Sequence, residues 1–224
     1  MKNRYKAPRI LHLPWSKSLD RSDRIITNRN MFDGKEIVVL VKMDGESTSL
    51  YSNGSFHARS TNSDNSAECR SWIYGWWQTI VYSDSYKQLL TVWPSLRLVG
   101  ENMYAQHTIK YSNLRHYFYL HSAWDLQQCL SWQDTVYIAQ CLGIEVVSCL
   151  YRGMYSEAVV RRFNGLRVFE SDDVEGYIVR NVEEYINTTD NIAKFVRPGF
   201  TQAIRNKHWS LSHITKNKLK AVNV

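Results

Sequence analysis

A lysine, Lys42, ends the apolar run "EIVVLVK", and Asp44 and Gly45 follow it almost at once. A charge at the end of an apolar segment, or inside one, recurs at Arg59, Glu101, Glu175, Lys194 and Arg197. A buried charge left unpaired costs several kcal/mol, so such side chains pair with one another or meet a ligand. Both signs recur at the ends of successive candidate strands. Strand ends are where residues far apart in sequence assemble into one site, and these residue types suit a pocket for a charged ligand at the edge of the core.

The elements that would carry them are legible in the hydrophobic pattern. Period-two alternation puts Val38, Leu40 and Lys42 on one side of a strand over 36–43. A turn at Asp44-Gly45, a strand over 47–52, an Asn53-Gly54 turn and a strand over 55–59 follow, so the three strands read as consecutive hairpins. In the third, His57 and Arg59 lie opposite Phe56 and Ala58. Trp72, Ile73, Trp76, Trp77 and Ile80 recur at three and four residues, which predicts a helix capped by Asn65 or Ser66. A shorter helix over 85–92 stops before Pro94. "LRLVGE" and "YFYLHSAWD" read as strands, and Ser131, Asp134 and Gly143 delimit a further helix. "EVVSCLY" is a strand, "SEAVVRRF" a helix, and "EGYIVRN" and "NIAKFVR" are two late strands. Residues 1–34 are polar and loop-like, a terminal extension. Hairpins with inserted helices predict an α+β fold built on antiparallel sheets, as one domain over 1–224.

Composition narrows the class. Of a net charge of +7, seven Lys/Arg with no Asp or Glu lie from Asn191 onward, so the rest of the chain is neutral. That basic end suits a polyanion partner or a solvated tail. Cys69, Cys129, Cys141 and Cys149 form no C-x-x-C pair, which gives no zinc site or disulfide framework and fits a reducing, cytoplasmic setting. "MKNRYKAPRILHLPWSKS" lacks the apolar core of a signal peptide, and no stretch is long enough to span a membrane.

"KMDGE" at 42–46 resembles motif I (K-x-D-G) of the covalent nucleotidyltransferases, which include ATP-dependent RNA and DNA ligases and mRNA capping enzymes. In the same order, "HARS" at 57–60, "GENMYAQHTIKYSNLRHYFYLHSAWD" at 100–125, "EGYIVR" at 175–180 and "AKFVR" at 193–197 resemble motifs Ia, III with IIIa, IV and V. The flanks "HLPWS" and "NKHW" are similar to the RNA-ligase branch, the phage RNA ligase 2-like proteins in particular. The resemblance implies a ligase adenylation domain with its nucleotide pocket between sheets flanked by helices. It implies an ATP-dependent RNA ligase using Mg²⁺ or Mn²⁺ and acting on RNA with 5′-phosphate and 3′-hydroxyl ends in RNA repair, with an accessory protein as a further partner and a virus as one source.

On that resemblance Lys42 is the nucleophile that takes AMP from ATP. A free lysine, with a pKa of about 10.4, is almost wholly protonated at neutral pH, and desolvation with nearby positive charge would favour the amine. Asp44 and Gly45 form a tight turn that projects the lysine. Arg59 holds a phosphate, Glu101 meets the ribose, Glu175 binds the metal and Lys194 steadies the α-phosphate. Arg197, Arg205, Lys207 and Trp209 are candidate nucleic-acid contacts.

The chain departs from the family pattern in three places. His121 stands where an aromatic ring would stack on adenine, with Tyr119 on the same strand face as the alternative. Lys194 is followed by "FVR" rather than a second lysine two residues on, which puts Arg197 on the opposite face unless the strand ends there. The 27 residues after Arg197 are too few for a separate C-terminal domain. A capping-type guanylyltransferase and a nucleic-acid-binding module without catalysis are the competing readings.

Overall fold

Three residues in the first quarter of the chain, 43–45, decide the architecture, because the strand ending at Lys42 and the one beginning at Glu46 belong to different sheets. The computed structural model describes residues 4–6, 8–16, 23–60, 68–169, 172–200 and 214–221. Along the chain, β1 (Leu11–His12) and β2 (Glu36–Lys42) are followed by β3 (Glu46–Tyr51) and β4 (Phe56–Ala58). Helices α1 (Glu68–Val81) and α2 (Asp84–Val92) lead to β5 (Leu96–Asn102), β6 (Phe118–Asp125) and β7 (Gln128–Cys129). Then come α3 (Trp132–Leu142), β8 (Glu145–Val146), β9 (Cys149–Met154) and α4 (Glu157–Arg161). The short β10 (Val168–Phe169) and β11 (Asp172–Asp173) pair with each other ahead of β12 (Gly176–Asn181) and β13 (Ile192–Val196).

The first sheet is ordered β1-β13-β12-β2-β9 and the second β4-β3-β5-β6-β7, with β8 beside β6. Pairing is antiparallel except for β1 with β13 and β6 with β8. The α+β class with antiparallel sheets flanked by helices is therefore the observed fold.

Apolar patterning explains the layers. In β2 every residue from Ile37 to Val41 is buried, as suits an inner strand covered on both faces. Ile37 and Val39 join Leu13, Phe32, Val160, Tyr177 and Phe195 on one face. Val38 and Leu40 pack on the other with Tyr119, Trp132 and Val147, in the space between the sheets. The far face of the second sheet is sealed by the helices: Leu50, Leu98, Phe118 and Leu120 meet Ile73, Trp77 and Ile138. The tryptophan cluster of α1 belongs here, with Trp77 fully buried and Trp72 stacked on Trp76. Ser131 caps α3 by accepting the Asp134 N–H at 3.0 Å, and Gly143 ends it at φ 64°. Asn65 and Ser66 lie outside the described residues.

Three sequence expectations change. β2 and β3 are not a hairpin, because both edges of β2 are taken by β12 and β9. Partners that distant leave no mark on local turn chemistry. The Asn53-Gly54 hairpin does form, with Gly54 at φ 79°. "EVVSCLY" is not one strand: β8 pairs in the second sheet and β9 in the first, so the segment crosses between them. Finally, the first 34 residues are not merely loop. Leu13, Ile26, Met31 and Phe32 are buried, and β1 extends the first sheet. Among the described residues no helix is long and apolar enough to cross a membrane.

Candidate active site

The chain crosses from one sheet to the other at residues 43–45, and strand register gathers charge at that crossing. Gly176 lies opposite Lys42 on one side and Val196 on the other. Glu175, one residue earlier, thus lands beside the lysine: Lys42 Nζ is 2.6 Å from Glu175 Oε2, with the side chains 18% and 12% exposed. Glycine is required at 176, since an added Cβ would run into the Phe195 carbonyl oxygen. Gly45 is needed for a similar reason rather than for turn freedom. Its φ is not positive, and a Cβ there would lie 2.8 Å from the Asn102 carbonyl oxygen.

A cavity of about 360 Å³ opens between the sheets from this end, lined by Lys42, Gly45, Arg59, Glu101, His121, Glu175 and Lys194. Seven of the sequence-predicted residues therefore share one cleft. Its volume lies within the roughly 300–1,000 Å³ of small-molecule sites. Further along the strands the lining turns apolar and aromatic, with Val99, Trp124, Ile178, Tyr185 and Ile192.

Asp44 sits behind this wall. Its Oδ2 accepts the Thr108 and Ile109 N–H groups at 2.8 Å each, and its own N–H donates to Tyr111 Oη at 3.0 Å. The carboxylate anchors a loop beneath the lysine. Arg197 lies past the end of β13 and turns away, its Nε donating to the Val174 carbonyl at 2.7 Å. Arg205, Lys207 and Trp209 lie outside the described residues.

A β-bulge selects between the two ring candidates. Pairing of β5 with β6 slips between Val99 and Gly100, so that His121 and the adjacent Ser122 both reach the cavity. Tyr119 stays in the core between the sheets, its hydroxyl accepting the Arg115 N–H at 2.8 Å. His121 thus lines the cavity and Tyr119 does not.

The electrostatics oppose one expectation. Burial pushes the Lys42 ammonium down, but Glu175 and Glu101, with Asp44 behind them, outweigh it and hold its pKa above the ordinary value. Burial raises Glu175, against the pull of Lys42, and raises Glu101 to about 8, where Lys42 opposes and Glu175 adds. Lys194 is lowered by burial and then by Lys42. His121 falls to about 3, through burial and then Arg180, so its ring is neutral.

Sequence reasoning assigned no role to Arg180, which is 1% exposed in β12. It reaches across to the second sheet, donating from Nη2 to the Leu130 carbonyl at 2.8 Å and from Nη1 to the His121 carbonyl at 3.5 Å. The signal was present: an arginine inside "GYIVRN" has to find buried acceptors.

Two carboxyl groups, Glu101 and Glu175, act on Lys42, and their hard oxygens suit a divalent cation. Among the described residues no group of three or more His, Cys, Asp or Glu could hold a metal. Mg²⁺ needs no more than one or two carboxylates when substrate phosphates and water complete its shell, so the donor set fits.

The model of the RNA ligase family matches residues 35–196. The chain belongs to the RNA ligase family. No curated protein matches it significantly in sequence. Among solved structures, the fold is similar to an apo Asp-to-Ala mutant of Naegleria gruberi RNA ligase, at 15% identity, TM-score 0.59, with 90% of this chain and 62% of that one covered. A Lys-to-Ala mutant of the same ligase with ATP and Mn gives 14%, 0.58, 92% and 63%. The same ligase with PPi gives 12%, 0.55, 92% and 65%. This family member spans less than two thirds of the length of each of these.

Proposed function

We propose that the chain is an ATP-dependent RNA ligase that works through a lysyl-AMP on Lys42. The observation that carries this reading is the contact of Lys42 Nζ with Glu175 Oε2 at 2.6 Å, inside a cleft that also collects Arg59, Glu101 and Lys194. The base of ATP enters toward Val99, His121 and Trp124, with the imidazole against its face, and the phosphates lie at the charged end. Lys194 and Arg59 neutralise phosphate oxygens, and Glu101 meets the ribose.

The ammonium must lose a proton before it can attack. Glu175 Oε2 is the acceptor in place, and burial raises its affinity for that proton. The Nζ lone pair then attacks the α-phosphorus and pyrophosphate leaves. Mg²⁺ or Mn²⁺ held by Glu175 would neutralise phosphate charge and disfavour the ammonium form of Lys42. AMP passes next to the 5′-phosphate of RNA, and a 3′-hydroxyl displaces it as the phosphodiester closes. The chain acts as one adenylation domain, with its C-terminal residues, the basic Arg205 and Lys207 and the aromatic Trp209 among them, or an accessory protein holding the RNA.

The test is incubation with α-labelled ATP and Mg²⁺ or Mn²⁺, followed by denaturing electrophoresis and addition of RNA bearing 5′-phosphate and 3′-hydroxyl ends. Wild type retains label and releases it as RNA is sealed, whereas Lys42→Ala retains none. Label from GTP instead of ATP would move the assignment to a guanylyltransferase. Equal labelling of the variant would remove Lys42 from the reaction.

A further inference from the structure

His12 is 1% exposed and sits in β1 directly opposite Lys194 of β13. A buried imidazole needs a partner at each ring nitrogen. Nδ1 lies 2.8 Å from Ser16 Oγ, and that oxygen already accepts the Val196 N–H at 3.1 Å. The Ser16 hydroxyl hydrogen is then available to Nδ1, which makes Nδ1 the acceptor and leaves the ring hydrogen on Nε2. Nε2 faces Asp23 Oδ2 at 3.2 Å, off the line of a good hydrogen bond, so the ring turns the positive end of its N–H dipole toward the carboxylate. Burial, then Lys194, lowers His12 to about 4, which agrees with a neutral ring.

The other oxygen of Asp23, Oδ1, lies 3.4 Å from Lys194 Nζ. The cleft thus gives each of its lysines a separate carboxylate, Glu175 for Lys42 and Asp23 for Lys194. The hold on Lys194 is the looser, at the outer limit of a hydrogen bond. Backbone bonds already fix the segment that carries Asp23: His12 N donates to the Arg24 carbonyl at 2.8 Å, and Ile26 N to the His12 carbonyl at 2.9 Å. The row of side chains from Ser16 to Lys194 is therefore not needed to attach that segment.

We infer that Asp23, aligned by His12 and Ser16, is the positioning residue for Lys194, holding its head over the cavity loosely enough to yield it to an incoming phosphate. This rests on the proposed reading that Lys194 meets the nucleotide. The charged groups acting on Lys194 are Lys42, Asp23 and Glu175, so the loss of Asp23 leaves a neighbouring cation less well balanced.

The test uses the full chain with Asp23→Asn, His12→Gln, His12→Phe, Lys194→Ala and the double variant Asp23→Asn/Lys194→Ala. Single-turnover lysyl-AMP formation is followed against ATP concentration. Asp23→Asn lowers the maximal rate about tenfold with half-saturation moved less than about threefold, and the double variant is no slower than Lys194→Ala alone. His12→Gln, which keeps an N–H near the Nε2 position, retains most of the rate, and His12→Phe behaves as Asp23→Asn does. A second readout needs no catalysis: the pH dependence of amine acylation, mapped by peptide mass. The Lys194 midpoint moves down in Asp23→Asn and the Lys42 midpoint stays. An unmoved Lys194 midpoint, or losses that multiply in the double variant, would overturn the inference. If wild type forms no lysyl-AMP, the proposed function fails while the acylation midpoint still decides the positioning claim.

Discussion

The two walls of the cleft differ in what they present. The first sheet offers Lys42, Glu175 and Lys194, three charges on three adjacent strands or their ends. The second offers Val99, His121, Ser122 and Trp124, with the carboxylates Glu46 and Glu101 near the crossing. The charged wall is set by register: β12 lies between β2 and β13, so Glu175 falls beside Lys42, and Lys194 is opposite Ile178. The other wall is set by a bulge that turns two consecutive side chains inward. One wall suits phosphates and a nucleophile, the other a flat neutral base. The difference shows how register on one wall and a bulge on the other can polarise a cleft along its length.

Breaking the register should have the largest effect. Gly176→Ala forces a Cβ against the Phe195 carbonyl in the middle of the three-strand contact. An overpacked inner strand loses about 3 kcal/mol, which urea unfolding would read directly. An unchanged midpoint would mean that the strands part easily and that the charged wall is not rigid.

The second wall should respond more mildly. His121→Ala removes one stacking face, so half-saturating ATP rises about tenfold, or ~1.4 kcal/mol, with little change in the maximal rate of lysyl-AMP formation. A fall in rate at constant half-saturation would place His121 with the reacting groups instead.

The smallest effect asks whether Glu101, on the second wall, belongs electrically to the first. Its carboxyl is raised to about 8. Between the ordinary carboxylate range and about pH 8 the folded chain keeps a proton that the unfolded chain has released, so stability falls as pH rises. Relative to Glu101→Gln, the metal-free wild type should lose Tm progressively across that window. Parallel Tm profiles would show that Glu101 is well solvated and separate from Lys42.

The elements were legible in the sequence because their periodicity is local. Trp72, Ile73, Trp76 and Trp77 announced α1, Ser131 and Gly143 bounded α3, and the alternation of Val38, Leu40 and Lys42 gave the correct face of β2. Pairing was less legible. Asp44-Gly45 has the composition of a hairpin turn, yet β2 finds its partners at β12 and β9, more than a hundred residues away. His121 was chosen by alignment, but its advantage over Tyr119 comes from a bulge that no local pattern records. Lys42 was read at the edge of the core, which is correct, while desolvation and nearby positive charge suggested a lowered amine. The carboxylates that reverse the sign arrive from β5 and from the residue ahead of β12. His12 and Asp23 fell in a stretch read as loop, where only the spacing of His12 and Ser16 around two apolar residues hinted at a buried imidazole.

The central claim is that Lys42, and no other lysine in the cleft, carries the nucleotide. Peptide mass mapping of wild type after incubation with ATP and Mg²⁺ or Mn²⁺, quenched before RNA is added, tests it most directly. The account predicts AMP on the peptide containing Lys42, at Nζ of that residue. AMP on Lys194, or no adduct on any peptide, would contradict it.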